Sequence, residues 1–395
     1  MEYRLMSGER VSLLGFGAMR LPTDSQGKID SQTLDRMVDL AIEGGVNYFD
    51  TAYPYHGGMS EIEIGRSLSR YRRDQYYLAT KYPGHQLMSV HRPAEIFEEQ
   101  LKKCGVDYFD FYLLHNVCES SIDTYLNEDF GIINYFLEQK AQGRIKHLGF
   151  STHARMDFLK DFFKRYAEQM EFCQIQLNYL DSSLQRADEK YELLKAYNIP
   201  VIVMEPVRGG KLAKLDPETE QQLKTIRPDS SIASFAFRYL MDYEDVSVIL
   251  SGMSNVEQVV DNISTFTDNT HLTKEERSIL LACAEGMKSS VPCTACGYCK
   301  DVCPMGLDIP TFMATYNELK CQGGVNSAMT VQFMPEEKQP HACIGCGACS
   351  RICPQNIAIP GTVSELCEML KKVPSWAQIC REREEIANRM KPEKT

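Results

Sequence analysis

Cysteine recurs twice at one tight spacing, as Cys293, Cys296, Cys299 and Cys303 before Pro304, and as Cys343, Cys346, Cys349 and Cys353 before Pro354. Iron in a cubane cluster needs thiolates converging on its corners. Two-residue gaps let one loop wrap three sulfurs round a cluster, and the fourth cysteine, just ahead of a proline, usually reaches the other cluster. The pattern predicts two 4Fe-4S clusters and therefore one-electron chemistry. Zinc is the alternative, because four-cysteine zinc sites also use paired C-x2-C, but they rarely need two compact runs with trailing prolines. A disulfide framework is not expected. The 15 cysteines are odd in number, eight of them lie in the runs, and no signal-peptide pattern precedes them.

A second chemical group stands at the ends of apolar runs. Asp50 closes Asn47 to Asp50, Lys81 closes Tyr76 to Lys81, and His115 follows Phe109 to Leu114. A lysine there is costly to bury unless a carboxylate pairs with it, and Asp50 is available. The paired ammonium would lower the pKa of a nearby phenol, Tyr55, from its usual value near 10, making it a proton donor to a carbonyl oxygen. His115 would add a hydrogen bond to the same oxygen and fix its orientation. Taken singly, each residue is as well read as a strand cap or a structural side chain. Together, on neighbouring strand ends, they read as a catalytic set.

The elements that must position these residues follow from periodicity. Strand-like runs lie at Val11 to Gly17, Asn47 to Asp50, Tyr76 to Lys81, Phe109 to Leu114, Lys146 to Ser151, Cys173 to Asn178, Pro200 to Met204 and Val246 to Leu250. Amphipathic helical segments such as Leu34 to Glu43 and Ala94 to Lys103 alternate with them. Eight such units over about 265 residues predict an α/β fold, a closed (β/α)8 TIM barrel with its site at the C-terminal ends of the strands. An open doubly wound sheet is the rival, but Leu14-Gly15-Phe16-Gly17 lacks the G-x-G-x-x-G pattern. Residues before Arg10 are expected to form a hairpin on the barrel floor. The barrel is assigned to residues 1–270 and a mainly α-helical ferredoxin-like domain to 271–395. A capping box at Thr273-Lys274-Glu275-Glu276 opens the latter, and helices are expected at Pro310 to Lys320 and Val363 to Lys372.

Composition narrows the partners. The 54 acidic residues outnumber the 43 basic ones, for a formal charge of −11, which argues against a nucleic acid held through its phosphates. No apolar run approaches the roughly 20 residues of a membrane span. Thiolate ligands and seven further cysteines point to a reducing cytoplasm.

With these residues in view, the chain resembles the aldo-keto reductases, in particular their iron-sulfur-containing branch. The family's Asp, Tyr, Lys and His tetrad falls on Asp50, Tyr55, Lys81 and His115, within Asp50-Thr51-Ala52-x-x-Tyr55 and the following Gly58-Met59-Ser60-Glu61. The resemblance implies that Tyr55 is the general acid/base, tuned by Lys81 and Asp50, and that NAD(P)H is the cofactor. It implies further that Ser151 and Gln176 hold the nicotinamide carboxamide. Pro206, Arg208, Gly210 and Lys211 would meet the pyrophosphate, and Gly252, Ser254, Asn255, Asp261 and Asn262 the adenosine half. Two departures stand out: Met204 occupies the place of the aromatic residue that stacks on the nicotinamide, and Met253 to Asn255 holds no arginine for a 2′-phosphate. Tyr53, His56, Tyr82, Asn116 and Tyr179 are expected to line the substrate pocket.

Clusters pass single electrons whereas a nicotinamide exchanges a hydride, so a flavin in the barrel is the second cofactor reading. Three functions are therefore weighed. The first is reduction of an aldehyde or ketone, or oxidation of the alcohol. The second is a flavin- or ferredoxin-linked redox enzyme fed by the clusters, with a ferredoxin or other redox protein as partner. The third is an electron-transfer subunit with a vestigial barrel.

Overall fold

The computed structural model describes residues 1–86, 90–119, 121–287, 291–293, 295–321 and 325–389. Two compact units divide the chain, the first built on Met1–Leu280 and the second on Leu281–Glu385. None of the helices among the described residues is long and apolar enough to cross a membrane.

The first unit opens with an antiparallel hairpin, β1 (Tyr3–Met6) and β2 (Glu9–Ser12). Eight parallel strands then close a barrel: β3 (Leu14–Gly17), β4 (Tyr48–Asp50), β5 (Tyr77–Tyr82), β6 (Phe109–Leu114), β7 (Ile145–Thr152), β8 (Cys173–Gln176), β9 (Val201–Met204) and β10 (Val246–Ser251), with β10 pairing back onto β3. The run expected as one strand, Val11 to Gly17, is split. The Ser12 hydroxyl donates to the Leu14 carbonyl at 2.7 Å, which turns the chain from hairpin to barrel.

Side chains alternate across each strand, so one parity fills the barrel and the other meets the helices. Tyr48, Ala79, Phe111, Leu113, Ile202, Val248 and Leu250 form the interior, closed below by Met6 and Val11 of the hairpin. Arg4 anchors that hairpin by donating to the carbonyls of Met241, Tyr243 and Val246. The same inward parity, followed upward, reaches Asp50, Lys81, Ser151, Gln176 and Met204. These residues share a mouth because they share a register, for example Asp50 opposite Ala79 and Gln176 opposite Met204.

The helix Ser31–Glu43 shows how the outer layer is specified. Leu34, Met37, Val38 and Ala41 are buried on one face, and the Asp30 side chain accepts from the Gln32 and Thr33 amides to cap its start. At Lys274–Met287 the expected capping box is present, with the Thr273 amide donating to Glu276 at 2.7 Å and the Glu276 amide to the Thr273 hydroxyl at 3.2 Å.

The second unit is helical in its described residues. Short helices Tyr298–Asp301 and Ala348–Ile352 follow left-handed Gly297 and Gly347, and longer ones, Ile309–Cys321 and Ile359–Leu370, come next. Leu307, Phe312, Met313, Val331, Val363 and Leu366 build its core. The two halves repeat each other: Ile309 donates to Leu307 and Ile359 to Ile357 in equivalent turns, each followed by a proline.

Gly149 tests the packing of the barrel. A Cβ there would lie 2.4 Å from the Phe172 carbonyl oxygen and 2.7 Å from its ring. Gly149→Ala is expected to destabilise the barrel by about 1–3 kcal/mol through overpacking, read as a lower denaturant midpoint. An unchanged midpoint would show that β7 and β8 separate freely.

Candidate active site and cluster module

At the barrel mouth Lys81 is the centre. Its ammonium donates to Asp50 Oδ1 at 2.5 Å and to the Thr51 carbonyl at 2.8 Å, and stands 3.5 Å from the Tyr55 hydroxyl. Lys81 and Asp50 are buried. Burial works against the ammonium, but Asp50 and the Tyr55 phenol lift its pKa above the ordinary lysine value, so it stays charged. Burial also pushes the Tyr55 phenol up, and the opposing pull of Lys81 does not outweigh it. The expectation of a lowered phenol is thereby corrected, because removal from water acts on Tyr55 more strongly than one ammonium already shared with Asp50.

The backbone delivers Tyr55 by an unusual turn. His56, Gly57 and Gly58 all have positive φ, and the His56 Nε2 accepts from the Leu21 amide at 3.1 Å, pinning the turn to the loop after β3. Burial lowers the His56 pKa, which suits a neutral acceptor. The Gly58-Met59-Ser60-Glu61 segment braces the site from behind. Ser60 donates to the Ala18 carbonyl and meets the Thr51 hydroxyl, while fully buried Glu61 accepts from Thr80 at 2.7 Å and Gln100 at 2.6 Å. Gln100 also donates to the Lys81 carbonyl at 3.1 Å, so this network fixes the outer edge of β5.

His115 follows β6, its ring edge-on to Tyr55 with centroids 5.9 Å apart. Asp50, Tyr55, Lys81 and His115 are thus brought together. Two of the residues expected to line the pocket, Tyr82 and Tyr179, pack elsewhere. Tyr82 has the parity opposite to Lys81 and packs outward on Phe136 and Tyr125. Tyr53 donates to Glu99 under Lys103, and buried Tyr179 packs on Tyr239. Asn116 ties strand ends, its amide donating to Ser151 at 2.8 Å and its Oδ1 accepting from the His153 amide.

The nucleotide set divides. Gln176 donates through Nε2 to Asp181 at 2.7 Å, which leaves its Oε1 as an acceptor on a strand end paired with Met204; Ser151, opposite Gln174, shares the inward parity. Gly210, Gly252, Ser254 and Asn255 are exposed at the rim, Lys211 is half-exposed and Pro206 is buried. Asn255 caps the helix Val256–Asp268 by accepting from Gln258. Ser254 donates to the Arg20 carbonyl at 2.8 Å. Arg208, expected on the pyrophosphate, is instead buried with its Nε 3.2 Å from Asp181 Oδ2, because the turn after β9 points it inward. Asp261 accepts from Ser231 at 2.6 Å and Asn262 donates to Ser251 at 2.8 Å, so both tie the helix to its surroundings.

Three mouth residues escaped sequence reasoning. His85 lies against His115 with centroids 4.2 Å apart, exposed Arg20 lies along Gly252, and Glu205 is 3.9 Å from Arg20 and close enough to raise the Tyr55 pKa. His85 follows β5 and Glu205 follows β9, so strand ends were the available signal. An acceptor amide, exposed glycines and cations at the rim fit a nicotinamide dinucleotide.

In the second unit the cysteines sort across the runs. Cys293, Cys296 and Cys299 share one cavity with Cys353, while Cys343, Cys346 and Cys349 share another with Cys303. Ile309, Met313, Ile357 and Ile359 wall the first, and Leu307, Phe312 and Val363 belong to the second. The Leu307 amide approaches the Cys303 sulfur at 3.5 Å, and the Ala295 amide donates to the Cys293 sulfur. Four thiols round an apolar cavity, with amides aimed at sulfur, fit an iron-sulfur cluster.

Residues 13–285 match the Aldo/keto reductase family and residues 289–357 a 4Fe-4S dicluster domain. The chain belongs to the Aldo/keto reductase family, and it is an oxidoreductase with a 4Fe-4S domain C-terminal to its barrel. It is 27% identical over 298 residues to the uncharacterized oxidoreductase YqkF of Bacillus subtilis, covering 67% of this chain and 90% of the relative. L-galactose dehydrogenase of Arabidopsis thaliana is 26% identical over 69% of this chain and 90% of its own. The NADH-specific methylglyoxal reductase of Escherichia coli is 25% identical over 66% and 90%. The holo form of aldo-keto reductase AKR11C1 from Bacillus halodurans matches with a TM-score of 0.57 at 29% identity, over 72% of this chain and 96% of that one.

The crossed cysteine sets give a direct test. With Cys343, Cys346 and Cys349 changed to Ala, about half the iron should remain. Adding Cys303→Ala should then remove no more, whereas adding Cys353→Ala should remove the rest. The reverse pattern in iron and sulfide analysis would mean that each run serves its own cluster. A second test concerns the phenol. Its raised pKa predicts that the kcat for reduction, which needs protonated Tyr55, shows no basic limb below about pH 10. A limb well below that would mean Lys81 prevails over burial.

Proposed function

We propose that this protein reduces an aldehyde or ketone to the alcohol, or runs the reverse oxidation, at the mouth of its barrel, using a nicotinamide dinucleotide. The observation that carries the reading is the Lys81 ammonium, held between Asp50 and the Tyr55 hydroxyl at the inward ends of adjacent strands. The relatives include an NADH-specific reductase of methylglyoxal and a dehydrogenase of L-galactose, which agrees with a small carbonyl or sugar-like substrate.

The nicotinamide would supply or accept the hydride at the carbonyl carbon. Tyr55 gives its hydroxyl proton to the carbonyl oxygen as the C=O π bond breaks. The phenolate left behind is stabilised by the Lys81 ammonium, whose own charge Asp50 holds in place. His115 orients the oxygen. Ser151 and Gln176 are the residues proposed to hold the carboxamide, with Met204 beside the ring. Gly210, Lys211, Gly252, Ser254, Asn255 and Arg20 are proposed for the phosphates and adenosine.

The second unit is proposed to hold two 4Fe-4S clusters, one in each crossed cysteine set. Cys296 and Cys346 are exposed, as are Tyr298 and Ile344 next to them, which would let a ferredoxin or other redox protein approach. A flavin-linked reaction is the second reading, favoured by Met204 where an aromatic ring is expected and by the mismatch between one-electron clusters and hydride transfer. Organic-cofactor analysis of anaerobically purified protein decides it: releasable flavin supports the flavin, and nicotinamide-driven turnover by flavin-free protein rules it out.

Tyr55→Phe tests the main reading. Loss of the proton donor should lower the kcat for carbonyl reduction by at least about 100-fold, with iron and sulfide content unchanged. Retained reduction would end the assignment of Tyr55.

A further inference from the structure

Gln176 ends β8 on the inward parity, half-buried and register-paired with Met204 at the end of β9. A side-chain amide can present either its oxygen or its nitrogen to a bound molecule. A second residue, completely buried Asp181, makes that choice here. Gln176 Nε2 donates to Asp181 Oδ2 at 2.7 Å. A carboxylate paired with a guanidinium accepts and does not donate, so only the nitrogen edge of the amide can turn toward it. The amide is planar, which leaves Oε1 on the edge away from Asp181.

Asp181 is held in place from several sides. The same Oδ2 accepts from Asn178 Nδ2 at 2.7 Å and lies 3.2 Å from the Arg208 Nε. Asn178 is fixed at both edges of its own amide. Its Oδ1 accepts from the Leu180 and Asp181 backbone amides at 3.1 and 2.8 Å, and its Nδ2 also donates to the Glu205 carbonyl at 2.9 Å. Glu205 directly follows Met204, so the network joins the chain beyond β8 to the chain beyond β9. Shaping the turn needs only Asn178. A buried ion pair often stabilises a fold no better than apolar side chains of equal volume, which leaves the orientation of Gln176 as the distinctive effect of Asp181 and Arg208.

Resting on the reading of the mouth as a nicotinamide site, we propose that Asp181 is a positioning residue that makes Gln176 an obligate acceptor for the carboxamide NH2, with Arg208 holding the carboxylate in place. Being fully buried, Asp181 acts only through Gln176. The site then sorts ring substituents by whether they carry a donor. A carboxamide offers N–H groups to Oε1. An acetyl group of nearly the same shape puts a methyl there instead and leaves the amide oxygen without a partner, which costs affinity. Arg208 thus serves the nicotinamide end of the nucleotide from within the protein rather than meeting the pyrophosphate.

The test measures, by calorimetry on the anaerobically purified full chain, dissociation constants for NAD+ and for its 3-acetylpyridine analogue, each with and without a 2′-phosphate. The unaltered protein should bind the carboxamide form about tenfold more tightly in whichever series it prefers. In Asp181→Asn the Gln176 amide can turn either edge to its neighbour, and the ratio should fall to about threefold or less. A merely structural role would weaken both nucleotides alike and leave the ratio intact. If Asp181→Asn does not fold, combining it with Arg208→Gln removes both buried charges together and gives the same comparison. No preference in the unaltered protein, or a ratio unmoved by the Asp181 change, overturns the orientation while leaving the nicotinamide site standing. Binding of neither nucleotide in either series overturns the nicotinamide reading as well.

Discussion

A buried ammonium is the constraint on which the barrel mouth depends. Lys81 gives up its hydration shell, and only three acceptors at short range make that tolerable: a carboxylate, a backbone carbonyl and a phenol. Each comes from β4 or the loop that follows it, so the charge of one lysine dictates the register of two strands and the path of the chain between Asp50 and Tyr55. The left-handed turn at His56 to Gly58 and the buried Glu61 network are consequences of the same demand. They hold the phenol and the outer edge of β5 so that the ammonium cannot relax toward water.

The second unit solves a different problem with the same economy. Neither cysteine run closes a cavity alone; each borrows its fourth sulfur from the other. The repeated turn, left-handed glycine, short helix and proline-started helix place the two halves so that each supplies the missing thiol and an apolar wall. Ile309 and Ile359 border both cavities or lie between them, which makes the core of this unit continuous with its cluster sites.

Local pattern carried much of this into view. Eight apolar runs separated by amphipathic helices spelled the barrel, because a closed parallel sheet buries both strand faces and needs a helix between every pair. Where reading failed, the cause was direction in space. Tyr82 was expected in the pocket although its neighbour Lys81 already occupied the inward parity, so a stricter use of alternation would have sent it outward. Arg208 looked like a phosphate ligand from its glycine-rich loop, yet the turn after β9 buries it on Asp181. Arg20 reaches the mouth from a loop whose course no periodicity describes, while His85, just past the end of β5, was a strand-end signal left unread.

What the chain's order of residues determined by itself is the repertoire: a strand-helix alternation, a lysine and a carboxylate on neighbouring strand ends, and two cysteine runs spaced to ligate. Those are short-range properties, set by backbone period and loop length. Only the tertiary structure decided that burial raises rather than lowers the Tyr55 pKa, that Arg208 turns inward onto Asp181, and that a second histidine leans on the first. These depend on distance and on exclusion of water, and both arise only when segments remote in sequence are packed against one another.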